Sequence, residues 1–111
     1  MGNDPKYVIQ RHERQGQAAH WDLMLEAGEG LKTYRIDMPP EKWGNKPIEA
    51  EKIFDHDLKF LSYEGSVNKG KGKVKIEEKG TYKILEKDEN MMRIELEGDN
   101  FGFRISEFGF K

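Results

Sequence analysis

The chain has no cysteine, so disulfide staples and thiolate metal sites are both excluded, and the absence fits a reducing interior. It has no apolar run near the roughly 18 residues a membrane-spanning helix needs, and the start, MGNDPKY, has neither the basic nor the apolar region of a signal peptide. The expected location is therefore the cytoplasm, with no membrane partner. No stretch shows the sustained 3.6-residue periodicity of a long amphipathic helix, which turns attention to strands. The charge of one sign is also small. Charged residues make up 36% of the 111 residues but sum to only -2, so self-repulsion does not oppose folding, and the mild acidity argues against tight duplex binding over the whole surface. At this length one domain, residues 1–111, with a modest core is expected.

What is present is period-two alternation. Tyr7 to Glu13 and Ala19 to Ala27 read as two strands of a hairpin with Gly16 in the connection. Tyr7, Ile9, Trp21, Leu23 and Leu25 fall on the apolar faces; Val8, Gln10 and His12, with His20, Asp22 and Met24, fall opposite. With adjacent strands roughly 4.8 Å apart and alternate residues about 6.6 Å apart, His12, His20 and Asp22 converge. Two imidazoles and a carboxylate suit a divalent transition ion and leave coordination positions open for water or substrate. Gln10, beside His12, is placed to support that histidine's other ring nitrogen.

Further along, Leu31 to Asp37 reads as a third strand ended by Pro39-Pro40. Glu41 to Trp43 suggests one helical turn, Gly44-Asn45-Lys46-Pro47 a loop, and Ile48 to Ile53 a short strand or turn. Phe54 to Gly65 mixes helical and extended spacing and is expected to be a short helix or helical turn carrying His56 between Asp55 and Asp57. Within Ser66 to Lys75, Lys69, Lys71, Lys73 and Lys75 fall on one side of any extended segment. Such a row can track phosphates, and equally it can be a solvated edge that blocks strand-to-strand aggregation.

The remainder reads as strands at Lys73–Lys79, Thr81–Glu86, Met91–Glu97 and Phe101–Phe110, joined at Lys79-Gly80, at residues 87–90 and at residues 98–100. Phe101, Phe103, Phe108 and Phe110 are expected in the core and at the closure of the sheet. The expected fold is mainly β, a compact antiparallel β-barrel with one or two short helices.

The segments YVIQRH (7–12), HWDLMLE (20–26), GLKTY (30–34) and DHDLKFLSYEG (55–65), in this order and followed by a glycine-rich turn, resemble the 3'-phosphoesterase domain of bacterial DNA ligase D. The resemblance implies a manganese-dependent activity that removes a 3'-terminal ribonucleotide or a 3'-phosphate from DNA or RNA 3' ends, with a DNA ligase or polymerase acting in trans. By position it implies His12, His20 and Asp22 as metal ligands, and His56 with Gln10 as catalytic residues, His56 contacting the phosphate. Arg35, Lys69, Lys71 and Lys73 are the expected substrate-binding cations. Three positions depart from the family pattern: Met24 stands where it has arginine, Phe54 where it has glutamate and Phe60 where it has tyrosine. Arg11 or Arg35 is then needed as the replacement cation, parity placing Arg11 on the apolar side. The alternative is a non-catalytic module that keeps the fold and binds a nucleic-acid end or a protein.

Overall fold

The computed structural model describes residues 4–44, 46–100 and 102–111. Eight strands follow one another: β1 (Lys6–Arg14), β2 (His20–Ala27), β3 (Gly30–Ile36), β4 (Ile48–Asp57), β5 (Gly65–Val67), β6 (Gly72–Lys87), β7 (Met91–Gly98) and β8 (Gly102–Phe110). The helical content among the described residues is three single turns of 3-10 helix, Pro40–Lys42, Leu58–Leu61 and Asn68–Gly70, rather than the one or two short helices expected. No helix among these residues is long and apolar enough to cross a membrane.

The strands form one sheet in the order β1-β2-β3-β4-β8-β7-β6-β5, and β1 also pairs with β6. Seven strands thus complete a ring of hydrogen-bonded neighbours, with β5 added to the outside of β6. Pairing is antiparallel except between β4 and β8, which run parallel over Ile48–Ala50. Hairpins force antiparallel pairing only between strands consecutive in the chain, and β5 to β7 lie between these two.

Two expectations are corrected by this pairing. β4 runs through Phe54 to Asp57, so His56 lies on a strand and not in a helix. Its pairing with β3 overrides the mixed local pattern, and the helical signal that follows belongs to the turn at Leu58–Leu61, where the Asp57 carboxylate accepts from the Lys59 backbone N–H at 2.9 Å. Lys79-Gly80 is not a connection either. β6 is continuous over sixteen residues, pairing with β1 as far as Thr81 and with β7 from Gly80 onward. A Cβ at Gly80 would stand 1.9 Å from the Glu97 carbonyl oxygen, so glycine is needed where β6 passes from one partner to the other.

The apolar faces of the opening hairpin lie together as expected: Tyr7, Ile9, Trp21, Leu23 and Leu25 join the main core with Ile94, Leu96 and Phe108. Phe110 packs at the margin of that core, stacked on Tyr34, whereas Phe103 is 61% exposed, because parity on β8 turns it outward. Phe101 and Asn45 lie outside the described residues. The opposite face is not wholly polar. Val8, Met24 and Leu31 form a second apolar cluster, roofed by Phe60 and Leu61.

Candidate metal and phosphate site

β1 and β2 turn at Gly16, whose φ of +73° suits glycine. The register places His12 opposite His20, Gln10 opposite Asp22 and Val8 opposite Met24, all on one face. His12 Nδ1 lies 3.1 Å from His20 Nε2; Asp22 lies 3.2 Å from His20 Nε2 and 3.6 Å from His12 Nδ1. One ligand atom from each residue falls within a 4.8 Å span. His20 and Asp22 are buried. Burial raises the Asp22 pKa, but the two imidazoles outweigh it and hold the carboxyl at about 2.

These donors fit a divalent ion. Asp22 Oδ1 is buried and, although 3.2 Å from His20 Nε2, makes no well-aligned hydrogen bond, and the outward ring nitrogens, His12 Nε2 and His20 Nδ1, are buried without partners. Two imidazole lone pairs and a carboxylate facing one another away from water are costly unless a proton or a cation lies between them.

Gln10 takes a different place from the one expected. Its Nε2 donates to the carbonyl oxygens of Phe60 and Tyr63, both at 2.9 Å, so it ties the 58–63 turn over the site instead of supporting His12. His12 is held from another side. Gly72 on β6 packs against its ring, and an added Cβ would stand 3.0 Å from Nε2.

His56 reaches this face from β4, where its Nδ1 lies 2.8 Å from Thr33 Oγ1 and 3.1 Å from the Phe54 carbonyl oxygen. The Thr33 hydroxyl gives its own proton to the Leu31 carbonyl oxygen, so it accepts from His56. Nδ1 therefore carries the proton and Nε2 is the atom left for chemistry. Burial lowers the His56 pKa from its ordinary value, while the Asp22 carboxylate pulls the other way.

The cations separate by strand parity. Arg35 is directly opposite Asp22, with a buried Nε that has no partner. Arg11 pairs with Glu13 and lies over the Trp21 ring on the other face. The lysines do not form an extended row. Lys69 sits in a 3-10 turn with φ +57° and Lys71 ends that turn, while Lys73 on β6 stands opposite Glu13, so parity gives it the face of Arg11 and not that of His12. Lys71 and Lys73 border a shallow depression with Arg14 and Gly72, beyond the His12 end of β1.

Thr33, Arg14 and Gly72 were not singled out from the sequence. Arg14 continues the alternation of Gln10 and His12, and its buried Nε has no partner; Thr33 shares its parity with Arg35. For Gly72 no local signal exists, since its place depends on β1 pairing with β6.

A family model described as the DNA Ligase D 3'-phosphoesterase domain matches residues 10–107. No curated protein matches the chain at a significant level.

Proposed function

Because the chain belongs to the DNA ligase D 3'-phosphoesterase domain family, we propose that it is a metal-dependent phosphoesterase that trims nucleic-acid 3' ends during DNA repair. Its substrates are a 3'-terminal ribonucleotide or a 3'-phosphate. The observation that carries this reading is the His12–His20–Asp22 cluster, whose ligand atoms crowd within 4.8 Å of one another with Asp22 buried between the two imidazoles. We read the closed ring of strands as a compact barrel that holds this cluster rigid, and residues 1–111 as one working domain in the cytoplasm.

His12 through Nδ1, His20 through Nε2 and Asp22 through its carboxylate would hold the ion, manganese by resemblance to the family. Such an ion polarises a phosphoryl oxygen and lowers the pKa of its water. The chain's own groups divide the remaining work. Arg35, beside Asp22, neutralises phosphate charge, and a guanidinium suits the planar pairing that two phosphate oxygens offer. His56, fixed through Nδ1 by Thr33, presents Nε2 to take up a proton or, once protonated, to give one to the phosphate or the leaving oxygen. Gln10 holds the 58–63 turn over the site. Lys71, beside Arg14, serves the strand leading to the end, with Lys73 on the far rim of the same depression and Lys69 at the edge of this group. A ligase or polymerase acting in trans would receive the 3'-hydroxyl so produced.

A second reading, a non-catalytic binding module, is favoured by one observation: Met24, on the ligand face, is buried in the second apolar cluster and adds no charge. One experiment separates the two. Purified protein is offered a primer ending in a 3' ribonucleotide or a 3'-phosphate, with and without manganese, beside His12→Ala. Metal-dependent loss of the 3' ribonucleotide or of the 3'-phosphate, abolished by His12→Ala, is expected, and no reaction on either primer would leave the binding module.

A further inference from the structure

Phe54 is 74% exposed, the most exposed of the large hydrophobic side chains among the described residues. An apolar ring left in water on a strand calls for an explanation when the same strand carries a working histidine two residues away. The ring is not loose. It stacks on the His56 imidazole with centroids 4.7 Å apart and planes 16° from parallel, and Phe60 meets the same imidazole edge-on at 5.5 Å.

Its placement follows from a register shift. Leu31 pairs with His56 but Thr33 pairs with Ile53, so β4 carries one residue more than β3 across this interval. A bulge of this kind bends a strand and re-aims side chains. Here Phe54 and Asp55 occupy the extra length, and the Phe54 carbonyl oxygen accepts from His56 Nδ1. One residue therefore orients the histidine through its backbone and presents its ring beside it.

The geometry points to Phe54 as the stacking platform for the nucleobase at the 3' end. The inference rests on the phosphoesterase reading for the identity of the ligand. His56 Nε2 addresses the phosphate, and the base of the nucleoside bearing that phosphate lies within reach of a ring stacked on His56. The face of Phe54 away from the imidazole is open to solvent, which is the condition for a base to stack on it. Because His56 already fixes the ring, little side-chain freedom is lost on binding, and because every base has a π-face, the grip is tolerant of sequence. An aromatic platform also prefers an unpaired base, so the site selects a frayed or single-stranded end over a closed duplex end.

The test uses a single-stranded primer whose 3'-terminal residue is 2-aminopurine bearing a 3'-phosphate, and a second primer with the same fluorophore far inside the strand. Fluorescence is read in the first seconds after mixing with metal-loaded protein, and release of the 3'-phosphate is followed separately. Stacking on Phe54 predicts quenching of the terminal label only. Phe54→Leu, which keeps an apolar side chain at an exposed position, should abolish the quenching and weaken binding of the end about five- to tenfold, while Phe54→Trp retains both. Manganese binding, read by calorimetry, should be unchanged in both variants. Quenching that survives in Phe54→Leu, or its absence in the wild type, overturns the platform. Phosphate release without terminal quenching would sink the platform and leave the phosphoesterase reading standing; quenching without phosphate release would do the reverse.

Discussion

The His56 imidazole donates to Thr33 Oγ1 at 2.8 Å, and the Thr33 hydroxyl passes its own proton to the Leu31 carbonyl oxygen. This chain fixes one tautomer of a histidine whose lowered pKa leaves the ring neutral over a wider range than usual. Thr33→Val keeps the shape of a fully buried side chain and removes the acceptor. The Phe54 carbonyl oxygen still holds Nδ1, so stability should change by no more than about 1 kcal/mol. The rate of 3'-end trimming should fall about tenfold, as when an orienting partner of a site histidine is lost. Imidazole nitrogen shifts in NMR provide the check: Nδ1 stays protonated in the variant, because the Phe54 carbonyl oxygen still accepts from it, but its shift moves as the shorter bond to Thr33 is lost. An unchanged Nδ1 shift would show that Thr33 does not accept from His56.

Gly72 and His12 touch across the β6–β1 pairing, and this contact makes a prediction about metal. In Gly72→Ala the new methyl meets His12 Nε2 at 3.0 Å and the Glu13 carbonyl oxygen at 3.1 Å. The carbonyl belongs to paired backbone, so the imidazole is the group that gives. A cost of about 1–3 kcal/mol is expected from overpacking. Manganese affinity should drop about tenfold or more because one ligand is displaced. Thermal unfolding with and without manganese measures both, since a ligand of the folded state raises Tm by an amount that grows with the logarithm of its affinity. A manganese-induced rise equal to the wild type's would mean that the ring is not pressed into place by Gly72.

On the other face Tyr7 donates to Glu78, which also takes two bonds from Arg104 at 2.9 and 3.0 Å. Burial, then the Glu78 carboxylate, raises the Tyr7 pKa well above its ordinary value of 10.0. A group whose folded pKa is raised contributes stability that is complete below the unfolded pKa and is lost as pH climbs above it. The wild type should therefore lose stability above pH 10 faster than Tyr7→Phe does, by up to about 1.4 kcal/mol per pH unit. Urea unfolding of the two proteins between pH 8 and 11 isolates this difference, because the other tyrosines are common to both. At neutral pH Tyr7→Phe should cost about 1–2 kcal/mol. Parallel curves would indicate that the phenol is not buried against Glu78.

The parts of this arrangement legible in the sequence are those that strand parity alone decides. Alternation over Tyr7–Glu13 and Ala19–Ala27 assigns His12, His20 and Asp22 to one side, and the observed register agrees. Parity also separates Arg11 from Arg35. What could not be read depends on contacts between distant segments. Gly80 looks like a turn because a corner in a long strand has the same local composition, and only the nearness of Glu97 distinguishes them. His56 looked helical because a bulge and a 3-10 turn follow one another within eight residues. The lysine row dissolved because Lys69 occupies a left-handed turn. Gln10 was correctly placed on the ligand face, but its partners at Phe60 and Tyr63 are fifty residues away in sequence and beyond any local pattern.

Met24 and Arg35 carry the final prediction, because they test where the phosphate-binding charge resides. An arginine is expected two residues after the aspartate by family resemblance, and Met24→Arg would be the obvious restoration. The structure argues against it. Met24 is 1% exposed and packs with Val8 and Leu31 beneath Phe60, so an arginine there would bury a charge without a counterion. A loss of about 3 kcal/mol or more is expected, with no gain in rate. Arg35 sits across from Asp22 on the neighbouring strand with an unpaired buried Nε, and under the proposed function it is the cation, carried by a different backbone position. Arg35→Met should lower the trimming rate about a hundredfold, the scale seen when one charge-stabilising donor is removed, while Tm changes by only a few degrees. Steady-state kinetics and thermal unfolding of the two variants check this together. A faster, equally stable Met24→Arg protein, or an Arg35→Met protein of normal rate, would place the missing charge elsewhere.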